Sequence, residues 1–234
     1  MNKSRKPLCS QDLFHSAVHN NVEWCELVAN SHSVTSERLE NAWKTTERMP
    51  PFYPNVVSTK TGTSVQGVSQ LAGGLPKKCA WKDSYADLDL TEHGFSIIFD
   101  AHWYARSGNH PNLASPEAVE KVSSTKELEE WIAAWGDTLP NQPIFTPELL
   151  TQNVRFVLRR AAGQMDAGLI LNWSANAVGI SNTFGKPDGI VDCISYAVEN
   201  ANGLPLVGYG SSKELRELEP LGFKDLGKLR VWVR

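Results

Sequence analysis

"GYGSSKELRELEPLGFKDLGKLRVWVR" (residues 208–234) closes the chain, and its punctuation decides the fold. Ser211 or Ser212 is placed to cap a helix, Pro220 limits that helix and Gly222-Phe223 breaks it. Aromatic and β-branched residues then run to the end, as a strand requires. Just upstream, "LPLVGYG" (204–210) is short, bounded and apolar, the signature of a buried strand. Strand, helix, Gly-Phe, strand is therefore the expected order at the carboxyl end.

Further back, "VRFVLRRA" (154–161) predicts a strand, "AGQMDAG" (162–168) a turn, and "GLILNWSANAVGISNTF" (168–184) a hairpin turning near Ser174-Ala175-Asn176. Asp188 or Gly189 opens a helix that reaches about Asn202. Ser124 with Glu127 reads as a capping box before "LEEWIAAWGD" (128–137), where Trp131 and Trp135 share one helix face. In the amino-terminal part, Leu13, Val18, Trp24, Leu27 and Val28 recur at helical spacing over 10–30. A second helix is expected over "SVTSERLENAWKTTERM" (33–49), stopped by Pro50-Pro51, and a strand over "FYPNVVSTKTG" (52–62). "GTSVQGVSQLAGGLPKK" (62–78) reads as a loop or weak strand. "SYADLDLTEHGFSIIFDAHWYARSG" (84–108) gives a short helix, a Gly94-Phe95 break and an alternating strand from Ser96 to Ala105.

Segments 85–106 and 213–234 echo each other. Each carries a Leu/Asp/Glu-rich helical stretch, then Gly-Phe, then a strand with a Trp and an Arg. The echo divides the chain near residue 120, into halves 1–120 and 121–234.

The order over 154–234, with "AGLILNWSANAVGISNTF", "LPLVGYG" and "LGFKDLGKLRVW", resembles the carboxyl-terminal core of the GNAT acetyltransferase superfamily. The resemblance implies an α+β fold with a GNAT-like mixed β-sheet flanked by helices, built as two related halves. It also implies an acyl-CoA-dependent N-acyltransferase taking acetyl-CoA or another acyl-CoA, with a small-molecule amine or a peptide as acceptor. On that reading Ile180, Ser181 and Asn182 pair with the pantetheine arm through their backbone. Gly185, Lys186 and Gly189 meet the pyrophosphate, because small residues and a helix N-terminus suit an anion. Tyr209 is the candidate proton donor. The chain departs from the family pattern in four places: Lys186 stands in for an Arg or Gln, Val191 replaces a small residue, Asp188 adds a carboxylate beside the phosphate path, and Leu218 or a neighbour stands where many members carry a Tyr. Those departures favour the alternative, a non-catalytic GNAT-like scaffold that binds a small ligand or a protein.

Composition limits what else the chain can be. A formal net charge of -3 provides no field that draws the whole molecule to nucleic acid or a membrane surface. The start lacks the apolar core of a signal peptide, and no apolar run is long enough to span a bilayer. Four scattered cysteines without a CxxC pair suit reduced thiols, so a cytoplasmic protein is expected. His15 and His19 lie four apart on a helix, a metal-compatible spacing, but exposed polar histidines are the default reading and no metal is expected. "HWYARSGNH" (102–110) has a stacking composition that strand alternation explains as well. No GxGxxG, GK[ST] or GxSxG motif is present.

Overall fold

The Gly-Phe turn forms twice, with the same hydrogen bonds each time. After a 3₁₀ turn over Thr91–His93, Gly94 takes the left-handed region at φ 78 and its N–H reaches Thr91 O at 2.9 Å. After the 3₁₀ turn Glu219–Leu221, Gly222 does the same at φ 89, bonding Glu219 O at 2.9 Å. Phe95 N–H then returns to Leu90 O, and Phe223 N–H to Leu218 O. Both rings are buried. A side chain at either glycine would oppose the positive φ, which is why this turn reads so clearly in sequence.

The computed structural model describes residues 9–111, 113, 118–136, 143–151 and 153–234. Helix α1 (Ser10–Ser31) is followed by strands β1 (Glu37–Arg38), β2 (Ala42–Lys44) and β3 (Val56–Ser58), helix α2 (Val65–Ala72), and strands β4 (Ala80–Asp83) and β5 (Ser96–Arg106). Then come β6 (Val119–Lys121), α3 (Thr125–Trp135), β7 (Val154–Ala161), β8 (Gln164–Trp173), β9 (Val178–Gly185), α4 (Pro187–Asn200), β10 (Leu206–Gly210), α5 (Ser212–Leu218) and β11 (Lys224–Val233). All strands join one mixed sheet in the order β1-β2-β3-β4-β11-β5-β10-β9-β8-β7-β6.

Two strand pairs are parallel, β3 with β4 and β9 with β10. The two strands that follow Gly-Phe lie side by side at the centre, and they have changed places. β11 pairs with β4, while β5 pairs with β10. The division expected at residue 120 falls inside β6, and the sheet runs unbroken across both sides of it.

Helices α1 and α3 cover one face. Trp24, Val28, Trp131, Phe145 and Phe156 form its main cluster, and Ala17, Val18, Ala101, Trp103 and Leu229 extend it over the sheet centre. α4 and α5 cover the other face at the β7–β10 end, around Leu169, Cys193, Ile194 and Leu215. α2 lies at the opposite end with Trp81, Phe95 and Trp232. Trp131 is wholly buried and donates its indole N–H to Val157 O at 2.9 Å, so its polar atom is satisfied inside the core.

Three local expectations are corrected. The helix expected over 33–49 is instead the β1–β2 hairpin, because Ala42, Trp43 and Lys44 are all buried in the sheet and Trp43 donates its indole N–H to Ser36 Oγ at 3.1 Å. Tertiary burial outweighed helical propensity there. The loop or weak strand expected over 62–78 contains α2, capped by Ser64, whose side chain accepts the Gly67 N–H. The strand expected over 52–62 is cut to Val56–Ser58. Among the described residues, no helix is long and apolar enough to cross a membrane.

Candidate active site

β9 and β10 pair only at Val178 with Leu206 and Gly179 with Val207, and then separate. Each follows its other neighbour. β10 is paired with β5 along its whole length, from Leu206–Arg106 to Gly210–His102, whereas β9 follows β8. A bulge widens the wedge: Gly168 faces Phe184 and Ile170 faces Ser181, leaving Asn182 and Thr183 opposite Leu169 alone. Asn182 takes the left-handed region at φ 52 at this bulge, a conformation that asparagine adopts more readily than most non-glycine residues. Gly208 sits at the throat. A Cβ there would stand 2.7 Å from the Tyr104 hydroxyl and 2.8 Å from Ile180 O, so glycine is what lets the Tyr104 ring and the β9 backbone come this close to β10.

The wedge opens into a cleft of about 360 Å³. Its β9 wall is Ile180, Ser181, Asn182 and Thr183, and its β10 wall is Tyr209 and Gly210, continuing to Ser211 and Glu214. Aromatic side chains Trp24, Phe52, Tyr53 and Phe99 line it without filling it, and Asn21, Cys25, Lys82 and Asp100 complete the lining. The Ser181 hydroxyl is buried with no hydrogen-bond partner among the described residues. Tyr209 packs edge-on against Trp103 at 5.4 Å, and the Lys82 ammonium lies 4.1 Å from its ring centroid. Glu214 Oε2 accepts the Ser211 N–H at 2.7 Å as part of the α5 cap. Asp100 is held by Arg230 through two bonds, at 2.6 and 3.0 Å, which lowers its pKa.

The turn from β9 into α4 is built differently. Gly185 lies at φ 113, and a Cβ there would strike Asp166 O at 2.3 Å, so this glycine serves the approach of β8. Gly189 is buried against Ala167 and Arg159. Lys186 N–H bonds Asp166 O, Pro187 has no N–H, and the Asp188 carboxylate lies in the first turn of α4. Arg159 then reaches Asp188 at 3.0 Å, Asp192 at 3.3 Å and Asp166 at 3.7 Å. The side-chain bond from Arg159 holds the Asp188 carboxyl below its usual range. Arg159 thus faces three carboxylates at the start of α4, two of them on the helix itself.

A thioester-bearing pantetheine arm and a diphosphate therefore fare differently here. The wedge offers an unpaired strand edge and a cleft of suitable size, and the arm fits. The α4 turn, as it stands, does not fit a diphosphate.

Of the residues singled out from sequence, Ile180, Ser181, Asn182 and Tyr209 converge on the cleft. Gly185, Lys186 and Gly189 lie at the α4 turn, outside its lining. Sequence reasoning missed Lys82, Asn21, Trp24, Tyr53 and Glu214. Only Glu214 had a readable signal, the Ser-x-x-Glu spacing of a capping box. The rest arrive from the amino-terminal part through long-range pairing. The parallel wedge between β3 and β4 is bridged by Tyr85, whose hydroxyl donates to Thr59 O at 2.9 Å, and Gly62 N–H bonds Asp87 at 2.8 Å. A broad groove beside it holds His15 and His19. Among the described residues, no group of three His, Cys, Asp or Glu side chains is placed to hold a metal.

The α+β arrangement, a mixed sheet flanked by helices, is a GNAT-like fold. Solved structures agree over most of the chain. A GCN5-related N-acetyltransferase from Kribbella flavida matches with a TM-score of 0.64 at 15% identity, covering 93% of this chain and 95% of that one. A putative acetyltransferase of the GNAT family from Novosphingobium aromaticivorans matches with a TM-score of 0.56 at 13% identity, covering 90% and 94%. A functionally unknown conserved protein from Staphylococcus epidermidis gives 0.57 at 10% identity, covering 86% and 94%. No protein-family model matches the chain, and no curated protein sequence does. The shared feature is the fold.

Proposed function

We propose that this protein is an N-acyltransferase that moves an acyl group from a thioester to a small amine or peptide acceptor. The observation that carries the reading is the β9–β10 wedge opening into a cleft lined by polar groups. The thioester supplies an activated acyl carbon. The backbone of Ile180 to Asn182 holds the donor's arm as an added strand edge, and the bulge at Asn182 aims main-chain groups into the wedge. Glu214, beside the wedge and in contact with solvent, receives the proton that the amine must lose. Tyr209 supplies a proton to the departing sulfur. Acetyl-CoA is the donor to test first.

The second reading, a scaffold that binds a ligand without chemistry, is favoured by the Asp188–Arg159 network and by Leu218 in place of a tyrosine. One experiment separates them. Acetyl-CoA at millimolar concentration is added with a panel of amines, while free thiol release, heat of binding and melting temperature are followed. Thiol release that depends on an amine supports transfer. Binding heat without release supports the scaffold. An unchanged melting temperature with neither heat nor release removes the acyl-CoA reading.

A further inference from the structure

The floor of the cleft holds a buried cation with little to hold it. Lys82 is 4% exposed, yet its ammonium donates to one oxygen, Asn21 Oδ1 at 2.8 Å, and otherwise faces the Tyr209 ring. No carboxylate of the described residues pairs with it. The two acids that share the cleft are engaged elsewhere, Asp100 with Arg230 and Glu214 with the Ser211 N–H.

The other buried lysine shows the contrast. Lys44, 7% exposed, donates to Gly73 O at 2.8 Å and Gln70 O at 3.5 Å, at the carbonyl end of α2, where a cation belongs. Lys44 is thus explained by the fold. A buried ammonium costs free energy unless its donors and its charge are met, and at Lys82 the fold meets one donor of three. The side chain lines the cavity, so the missing partner has room to be a ligand.

We propose that Lys82 anchors a carboxylate of the acceptor, so the cleft takes small amines that also carry a carboxylate and an apolar or aromatic body, in the manner of amino acids. This assignment rests on the acyltransferase reading for its amine, but the anion site is tested without it. The acceptor's carboxylate meets Lys82 and the Asn21 amide, its body lies against Trp24, Tyr53 and Phe99, and its nitrogen points to the wedge and Glu214. A dianion is less suited, because Asp100 and Glu214 face the same space.

The test is a calorimetric titration of the wild-type chain with L-phenylalanine and L-leucine and with their carboxamides, which keep the amine and the body but lose the negative charge. The acids are expected to bind at least about tenfold more tightly than the amides. Lys82→Met should abolish that difference, and Asn21→Ala should reduce it. Equal affinity for acid and amide, or no saturable binding of either acid, overturns the proposal. So does undiminished binding of the acids to a folded Lys82→Met variant. If Lys82→Met fails to fold, the wild-type comparison decides alone. Thiol release from acetyl-CoA is measured in parallel. Discrimination between acid and amide without release keeps the anion site and removes the transfer reading. Release without discrimination does the reverse.

Discussion

Tyr209 and Tyr104 lie on neighbouring strands but face opposite sides of the sheet. Tyr209 lines the cleft, whereas Tyr104 is buried against Phe223 at 5.5 Å, and burial pushes its phenol above the ordinary range. Tyr209→Phe is therefore expected to lower kcat for amine-dependent thiol release about 100-fold, with little change in melting temperature. Tyr104→Phe should leave kcat within a few-fold. The reverse ranking would move the proton donor to the other face. Asp188 offers a second residue-scale prediction. Its carboxylate lies in the first turn of α4 and pairs with Arg159 at 3.0 Å. Asp188→Gly removes a negative charge from the helix N-terminus, so calorimetry should show acetyl-CoA binding about tenfold tighter, with a steeper salt dependence. Unchanged affinity would mean that the donor's diphosphate lies elsewhere. Tyr209, Ser181 and Asn182 were legible because they sit beside a strand end that local patterning marks. Lys82 was not, because a lysine between Trp81 and Asp83 looks like any strand residue until α1 is laid across it.

Single elements obeyed local rules where a cap or a turn was strong. Ser124 accepts the Glu127 N–H at 3.2 Å and starts α3 where expected. The reciprocal bond differs, since the Glu127 carboxylate turns to Ser123 N–H and Oγ at 2.7 and 2.8 Å. α2 is the opposite case. It has eight residues, with Gly67 inside it and Gly73-Gly74 directly after it, so its helix rests on Ser64 and on burial of Val68 and Leu71. Ser64→Ala should cost about 1 kcal/mol, read as a lower urea midpoint at constant slope. A cost near zero would show that packing alone forms the helix. The 33–49 segment was misread for a related reason. Its helix formers are outweighed by pairing of β2 with β3, a contact that no local window contains.

At the scale of the whole molecule, the exchange of β5 and β11 binds the two parts of the chain together. β10 and β11 are not neighbours, because β5 lies between them. Residues 121–234 expressed alone should therefore lack a cooperative unfolding transition, and adding 1–120 should restore one. A stable isolated fragment would show that β10 and β11 can pair directly. Burial also sets an alkaline limit. It pushes Cys193 up to about 12, and raises Cys25 and Tyr53 as well. In the unfolded chain these groups ionise at ordinary values, about 8.5 for thiols and about 10 for phenols. Stability from keeping them neutral is thus complete below about pH 8.5 and is lost as pH rises toward 12. The urea midpoint should fall between pH 7.5 and 10.5, and a constant midpoint would contradict the burial of these groups.

By itself the sequence determined what neighbours along the chain can enforce: two Gly-Phe turns that need a left-handed glycine, serine caps, the β8–β9 hairpin and the apolar strand at 204–210. Only the tertiary structure decided which strands part and which close, that β5 and β11 trade partners, and that α1 and β4 bring Asn21, Trp24 and Lys82 to the wedge. The reason is physical. A turn or cap is paid for within a few residues, whereas strand order and a buried ammonium depend on contacts tens of residues to more than a hundred apart, whose energy no local pattern records.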